Sequence, residues 1–198
     1  YAIGIVVEKV QAMPILQKEC SVYPENLLSD TVCDIHAENR NWRAIFTRSR
    51  QEKALARDLL RREIPFFLPL VSRQSYVRSK IVESHLPLFS SYVFMYATED
   101  ERVRALTTNR IVELLEVDDQ MTLHHDLRQL NRLIELGAPL TVEQRLQPGR
   151  PVRVKSGVMR GLQGTVVQRR GRTRLIIAVE FLQNGVSLEI DDFMVEPH

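Results

Sequence analysis

The chain has 198 residues, of which 44% are hydrophobic and 26% are charged, with a formal net charge of +2. This composition is typical of a globular protein with one domain or two small ones. No stretch approaches the roughly 18 consecutive apolar residues of a membrane-spanning helix, and Glu8 and Lys9 interrupt the apolar opening, so neither a transmembrane segment nor a secretory signal is expected.

The cysteines indicate the compartment and bear on metal binding. Cys20 and Cys33 are too few for a disulfide framework and predict a reducing, cytoplasmic environment. With His36 they could supply three zinc ligands, but no fourth ligand is evident. We therefore expect two free thiols and no metal site, and nothing in the sequence indicates a cofactor.

The positive charge is segregated along the chain. Between residues 43 and 80, ten Lys or Arg residues stand against three acids, and between residues 144 and 179 there are nine and no acid. Basic segments of this kind indicate an anionic partner, either nucleic acid or an acidic protein surface. An arginine-rich helix is, however, often only a solvated face.

The first elements follow an arm. Residues 1–40 show no sustained hydrophobic period and are predicted to be a partly disordered arm, whose Tyr23-Pro24 region packs on the next domain. Residues 41–47 suit a strand. The Ser-x-x-Glu pattern at residues 49–52 predicts a capping box and a helix that ends near Ile64, before Pro65.

Further elements complete a first domain at residues 41–137. The patterns predict, in chain order, a short strand at 66–70, a hairpin at 73–85, a buried central strand at 88–96, a helix at 99–106, a strand at 111–117 and a helix at 123–136. Gly137 is the expected stop of the last helix. We predict an α+β fold with a mostly antiparallel sheet and helices packed on it.

After a linker at residues 138–147, the character changes to β. Glycines punctuate short apolar strands, and Asn184-Gly185 predicts a hairpin turn. Residues 148–198 are therefore predicted to form a small all-β barrel, near the lower size limit for independent folding.

Two motifs carry a resemblance to a known family. The first is Trp42 at the start of a strand, followed by Pro87-Leu-Phe-Ser-Ser-Tyr-Val-Phe94. The second is the spacing Gly149-x2-Val152-x-Val154-x2-Gly157-x3-Gly161-x2-Gly164-x-Val166, which matches the KOW motif, whose glycines permit positive φ or close backbone approach. Together they resemble the NusG family of transcription elongation factors, with an NGN-like domain followed by an SH3-like KOW barrel.

The resemblance implies a non-enzymatic monomer that binds the clamp helices of the RNA polymerase large subunit. The positions that match the family's aromatic residues are Trp42, Phe46, Phe89, Tyr92 and Phe94. We expect Phe46, Tyr92 and Phe94 to make the contact, because exposed aromatic anchors supply most of the energy in protein recognition. The alternative is that aromatic residues on a strand are simply core.

The resemblance also implies contacts to non-template DNA and to a partner of the KOW domain. Candidates for DNA or an acidic polymerase surface are Arg48, Arg50, Lys53, Arg57, Thr107 and Thr108. Candidates for a ribosomal protein, a termination factor or RNA are Arg153, Lys155, Arg160, Arg169 and Arg170. Either group could instead only solubilise the surface.

Three alternatives stay open from the sequence. The arm and the loose match favour a specialised bacterial antiterminator of the RfaH/UpxY kind over a general factor. A ribosome-associated KOW protein that binds RNA is the main alternative function. An enzyme is the weakest interpretation, because no catalytic triad spacing, phosphate-binding loop or paired carboxylate is recognisable.

Overall fold

The computed structural model describes residues 19–29, 39–77, 80–144, 149–169, 171–191 and 194–198. The strands are β1 (Val22–Tyr23), β2 (Asn41–Thr47), β3 (Phe66–Phe67), β4 (Leu70–Val77), β5 (Lys80–Pro87), β6 (Tyr92–Ala97), β7 (Ile111–Glu116), β8 (Thr141–Glu143), β9 (Arg150–Val154), β10 (Gln163–Arg169), β11 (Arg172–Val179), β12 (Asn184–Glu189) and β13 (Val195–Pro197). The helices are α1 (Glu52–Arg61), α2 (Glu99–Leu106) and α3 (Gln120–Glu135). The predicted α+β class with antiparallel sheets is confirmed.

The first sheet has the strand order β1-β3-β6-β2-β7, with antiparallel pairing throughout. Its edge strand β1 comes from the segment predicted as an arm, and Leu27 and Leu28 from the same segment are buried in the core. The central strand is β6, but it begins only at Tyr92. The prediction of a strand from residue 88 is wrong at its start, because Ser91 has φ of +66° and turns the chain.

Helix α1 starts differently from the prediction. Gln51 is the N-cap, without a side-chain cap hydrogen bond, so the predicted capping box at residues 49–52 is wrong. The Glu52 carboxylate instead accepts a 2.7 Å hydrogen bond from the backbone N–H of Ser91. A capping box does form at α2, where Thr98 and Glu101 exchange hydrogen bonds.

The second sheet has the order β13-β9-β10-β11-β12-β8 and forms the C-terminal β domain. Its strand β8 lies within the expected linker and pairs with residues Gly185–Ser187 of β12. The Glu143 carboxylate accepts hydrogen bonds from Arg169 at 3.0 Å and from the Ser187 hydroxyl at 2.6 Å. Because Glu143 and Ser187 are buried, this network holds β8 on the sheet.

The turn between β11 and β12 lies earlier than predicted. A 3₁₀ turn at Glu180–Leu182 makes the connection, and Gln183 takes the left-handed conformation. Asn184 and Gly185 are already paired with Val179 and Ala178. The prediction of an Asn184-Gly185 turn is therefore wrong, because the chain has already reversed at the 3₁₀ turn and Gln183 before it reaches Asn184.

Gly164 is where the C-terminal sheet needs a glycine most. A Cβ atom built there would lie 2.3 Å from the carbonyl oxygen of Ile176 on the neighbouring strand. We expect Gly164→Ala to lower the free energy of unfolding by about 2–3 kcal/mol, because backbone would have to move. Gly157→Ala is the control, since Gly157 has φ of +77° but open space around it, and should cost only about 1 kcal/mol. Chemical denaturation of the full chain measures both, and equal losses would contradict the close approach.

Helix α3 joins the two sheets. It packs on β2 of the first sheet and on β11 and the 3₁₀ turn of the second. Its leucines, Leu123, Leu127, Leu130 and Leu133, are buried in one hydrophobic cluster that contains residues of both sheets. The described parts of the two domains therefore share a core in this structure.

Candidate functional site: the aromatic end of the first sheet

The two faces of the first sheet carry different side chains. Because strand residues alternate between faces, Trp42, Ala44 and Phe46 of β2 share one face with Tyr92, Phe94 and Tyr96 of β6. This aromatic face is the one on which α3 packs. Helices α1 and α2 cover the opposite face, over Ile45, Val93 and Met95.

Exposure changes along the aromatic face. Trp42 and Phe94 are fully buried, and the ring of Phe94 stacks on that of Phe67 at a centroid distance of 6.4 Å. Phe46 and Tyr92 are half-buried, with ring centroids 5.4 Å apart and the rings tilted. We call this pair the aromatic end.

Three of the five predicted aromatic contacts are thus core residues. Trp42 packs against Tyr96 and His124, Phe94 against Phe67, and Phe89 is 4% exposed in the loop before β6. The expectation that Phe94 is available to a partner is wrong, because neighbouring rings and leucines cover it. Only Phe46 and Tyr92 of this set reach the surface.

The backbone around the aromatic end is fixed by its own hydrogen bonds. The N–H of Thr47 donates to the Ser91 carbonyl at 2.8 Å, and the N–H of Arg48 donates to the Arg110 carbonyl at 3.0 Å. The Glu52 carboxylate accepts a hydrogen bond from the N–H of Ser91 and so fixes the turn that directly precedes Tyr92. Glu52 is a positioning residue that the sequence did not reveal, because its partner lies far away in the chain.

Basic side chains lie beside this end. Arg48 and Arg50 directly follow β2, are exposed, and have no acidic partner within the described part of the chain. Arg110, which the sequence did not single out, is bound by Asp58 at 2.6 Å and by Gln51, and so ties β7 to α1. Among the described residues, Arg48 and Arg50 are therefore the exposed basic residues without an acidic partner that lie nearest to the aromatic end in sequence.

The other candidates of the first domain lie elsewhere. Lys53 and Arg57 are on α1, which covers the opposite face, and Arg57 lies 3.7 Å from the Glu19 carboxylate. The Thr107 hydroxyl donates to the Arg104 carbonyl, and the Thr108 hydroxyl accepts from the N–H of Arg110. Both threonines thus have a structural role at the end of α2.

The basic residues predicted as contacts of the C-terminal domain also differ in whether an acidic side chain already binds them. Arg153, Lys155 and Arg160 are exposed and have no acidic partner among the described residues. Arg169 is engaged by Glu143, which leaves it less available. Arg170 lies outside the described residues.

The contact between α3 and the C-terminal domain is polar as well as apolar. The backbone N–H of Glu180 donates to Asp126 at 3.0 Å, the N–H of Gln163 donates to Gln129 at 2.6 Å, and Arg132 donates to the Val158 carbonyl at 3.3 Å. Burial raises the pKa of the Asp126 carboxyl from 3.8 to about 7, against the opposing effect of the Glu180 N–H.

No metal centre is found among the described residues. Cys33 and His36 lie outside them, so the predicted absence of a zinc site stays a prediction. The Cys20 thiol donates to the Val22 carbonyl at 3.1 Å. In the described part of the chain, no helix is long and apolar enough to cross a membrane.

The geometry defines an α+β domain with one open aromatic end, followed by a β domain. Residues 40–132 match the family model described as NusG, transcription termination factor nusG. The first domain is thus similar to the NusG family.

Two solved structures are similar to the chain. One, described as domain interaction in Thermotoga maritima NusG, shares 15% identity, with 80% of this chain and 97% of that chain covered and a TM-score of 0.42. The other, the MjSpt4:Spt5 complex, shares 13% identity over 79% and 95% of the two chains, with a TM-score of 0.25. No curated protein matches the chain at a significant level.

Proposed function

We propose that this protein is a non-enzymatic transcription elongation and antitermination factor that binds RNA polymerase. The observation that carries the proposal is the half-exposed pair of Phe46 and Tyr92, at the open end of an otherwise covered aromatic face. The pair lies within the segment that matches the NusG family model. The partner surface is the clamp helices of the polymerase large subunit, as the resemblance implies.

Phe46 and Tyr92 act as anchors for the partner. Phe46 and Tyr92 stand on paired strands that are packed on their other face through Ile45 and Val93, and such preorganisation limits the conformational entropy that is lost on binding. Aromatic anchors at the centre of an interface carry most of the binding energy. The free cations Arg48 and Arg50 beside them supply attraction to an acidic helix or to non-template DNA.

The C-terminal β domain is proposed as a KOW domain that recruits a second partner, either a ribosomal protein, a termination factor or RNA. Among the described residues, Arg153, Lys155 and Arg160 are exposed basic residues without an acidic partner, as is Arg150, and these are the best candidates for the contact. In domain terms, we propose residues 41–137 as the polymerase-binding unit and residues 148–198 as the recruiting unit. We also propose a specialised paralogue of the RfaH/UpxY kind, on the N-terminal segment that precedes residue 41 and on the loose match of the sequence to the housekeeping pattern.

The test is binding of the full chain to isolated clamp helices. We expect Phe46→Ala and Tyr92→Ala each to weaken binding by about 2 kcal/mol, or roughly 30-fold. Leu106→Ala is the matched control, because Leu106 is 41% exposed on α2, at the opposite face of the sheet. Circular dichroism establishes that all variants are folded.

Absence of binding by the folded wild type would overturn the proposal, since Phe46 and Tyr92 are accessible in the full chain. The competing function is an RNA-binding protein of the ribosome, which the free cations Arg153, Lys155 and Arg160 favour. Co-purification separates the two, because at a salt concentration that removes non-specific binding the chain should retain polymerase subunits and not ribosomal subunits.

A further inference from the structure

Strand β8 is an open edge of the C-terminal sheet. It pairs with β12 on one side, and within the described residues no strand pairs with its other side. The strand follows shortly after α3, and residues of β8 and of the base of the β4–β5 hairpin line one groove. An unpaired edge strand offers backbone N–H and C=O groups to a further strand.

The groove beside this edge is mainly apolar. It has a volume of about 560 Å³ and lies between the hairpin base, the end of α3 and residues 137–142. Leu86 of the hairpin is 39% exposed and Val142 of β8 is 42% exposed, so apolar surface is open on both walls. Arg73 is the one charged residue among those that line the groove, and it has no acidic partner in the described part of the chain. The groove can therefore receive apolar side chains, with an acidic group beside Arg73.

A second depression, of about 710 Å³, meets the first at Thr141, which lines both. The charged residues that line it are Glu143, Arg169, Arg172, Arg174 and Glu189. Three guanidinium groups against two carboxylates leave one positive charge uncompensated. Arg172 is the most exposed of the three arginines, with 68% of its side chain accessible, and among the described residues only its Nη1 is bonded, to Glu189. Its remaining N–H groups are available to an acidic partner.

We infer that the open edge of β8 binds an extended segment of a partner protein in which apolar and acidic residues alternate. The segment adds to β8 as a further strand, and its side chains point alternately into the apolar groove and over the arginines. Charge complementarity selects this occupant, because a neutral strand leaves the arginine charge unmatched. A nucleic acid suits the arginines but not the groove, where its polar groups lose water without gaining a partner.

The inference goes beyond the proposed function, because it involves neither the clamp helices nor the aromatic end. The test measures the anisotropy of a fluorescein-labelled peptide of alternating valine and glutamate, about ten residues long as in a long strand, titrated with the full chain. We expect saturable binding, and binding at least about fivefold weaker when lysine replaces glutamate in the peptide, since the arginines repel it. The N–H groups of the valines and of the glutamates point to opposite edges of an extended peptide, so N-methylation of one set should abolish binding and N-methylation of the other should not.

Variants of the chain test the two sides of the strand. Val142→Asp should weaken binding at least about fivefold, because it places a charge where an apolar side chain of the peptide packs. Val158→Asp is the matched control and should bind as the wild type does, since Val158 is 73% exposed and lines neither depression. Arg172→Gln should weaken binding about two- to fivefold, the effect of one exposed ion pair. Unchanged melting temperatures show that the variants are folded, as expected for exposed positions.

Four results would overturn the inference. The first is absence of saturable peptide binding by the wild type, and the second is equal binding of the glutamate and lysine peptides. The third is full binding of both N-methylated peptides, and the fourth is unchanged binding in both Val142→Asp and Arg172→Gln. If a thymidine oligonucleotide bound through Arg172 and the peptide did not bind, the arginines would belong to a nucleic-acid site instead. None of these results bears on the Phe46 and Tyr92 contact, which is measured separately with clamp helices.

Discussion

Phe94→Ala is expected to lower the free energy of unfolding by about 3–5 kcal/mol, the usual cost of truncating a fully buried phenylalanine. Phe94 has no exposed surface and stacks on Phe67, so truncation leaves a cavity in the core shared by both sheets. Tyr92→Ala should cost only about 1 kcal/mol, because Tyr92 is half-buried and its main ring contact is with Phe46. Urea denaturation of the full chain measures both values.

The same pair of positions separates stability from binding. Phe94→Leu conserves most of the volume and should cost less than about 1.5 kcal/mol while retaining affinity for clamp helices. Tyr92→Ala should show the reverse, with stability nearly kept and affinity lost. If folded Phe94→Leu lost affinity as Tyr92→Ala does, Phe94 would be a contact residue and the assignment of the aromatic end would have to be extended.

At pH 8, Asp126→Asn is expected to raise the free energy of unfolding by on the order of 2–4 kcal/mol. The wild-type carboxyl is buried between α3 and the 3₁₀ turn, beside Glu180 and with Asp119 on the same helix, and its pKa is raised to about 7. At pH 8 the folded protein must therefore hold a buried charge. Asparagine presents a neutral side chain whose oxygen can still accept from the Glu180 N–H.

The sign of the pH dependence follows from the raised pKa. The folded chain holds the proton more tightly than the unfolded chain, so the contribution of Asp126 to stability is complete below its ordinary pKa of 3.8 and is lost as pH rises through about 7. The advantage of asparagine should accordingly shrink as the pH is lowered and be nearly absent near pH 4. Burial also lowers the pKa of His124. His124 is present in both the wild type and Asp126→Asn, so its contribution cancels when their free energies of unfolding are subtracted.

Asp119→Asn provides the control for this experiment. Asp119 is the exposed N-cap of the same helix, and the N–H of Thr122 lowers its pKa. Its replacement should give no gain at pH 8. A gain from Asp126→Asn that did not vary between about pH 4 and pH 8 would show that the carboxyl is not desolvated by the C-terminal domain. Protection of the Glu180 amide from hydrogen exchange provides a direct readout of the contact.

The hydrophobic periodicity and the helix-ending residues were sufficient to predict most of the helices and strands. Strand β2, helix α2 and helix α3 follow the predicted bounds to within a few residues, and Gly137 follows the end of α3 with φ of +64°. These features depend on residues close together in the chain, which is why the sequence alone determined them. The α+β class follows from their order.

Where two local sequence patterns predict the same feature, only the tertiary structure shows which of them forms it. The Ser-x-x-Glu pattern at residues 49–52 and the Thr-x-x-Glu pattern at 98–101 predict the same cap, but Glu52 bonds to Ser91 and only the second cap forms. Strand β8 is held at the edge of the C-terminal sheet, beside β12, because Glu143 accepts hydrogen bonds from Arg169 and Ser187. Such partners are distant in sequence, so no local pattern reveals them.

The same distinction applies to the candidate site. Alternation along β6 puts Tyr92 and Phe94 on the same face of that strand, and the sequence by itself determined that much. The register between β2 and β6 then puts Phe46 on the same face, and only the tertiary structure shows that register. The sequence could not determine which of the three stay accessible, because that depends on where α3 and the loop before β6 cover the face. The tertiary structure buries Phe94 and leaves Phe46 and Tyr92 half-exposed, since burial is a property of the assembled layers and not of the strand.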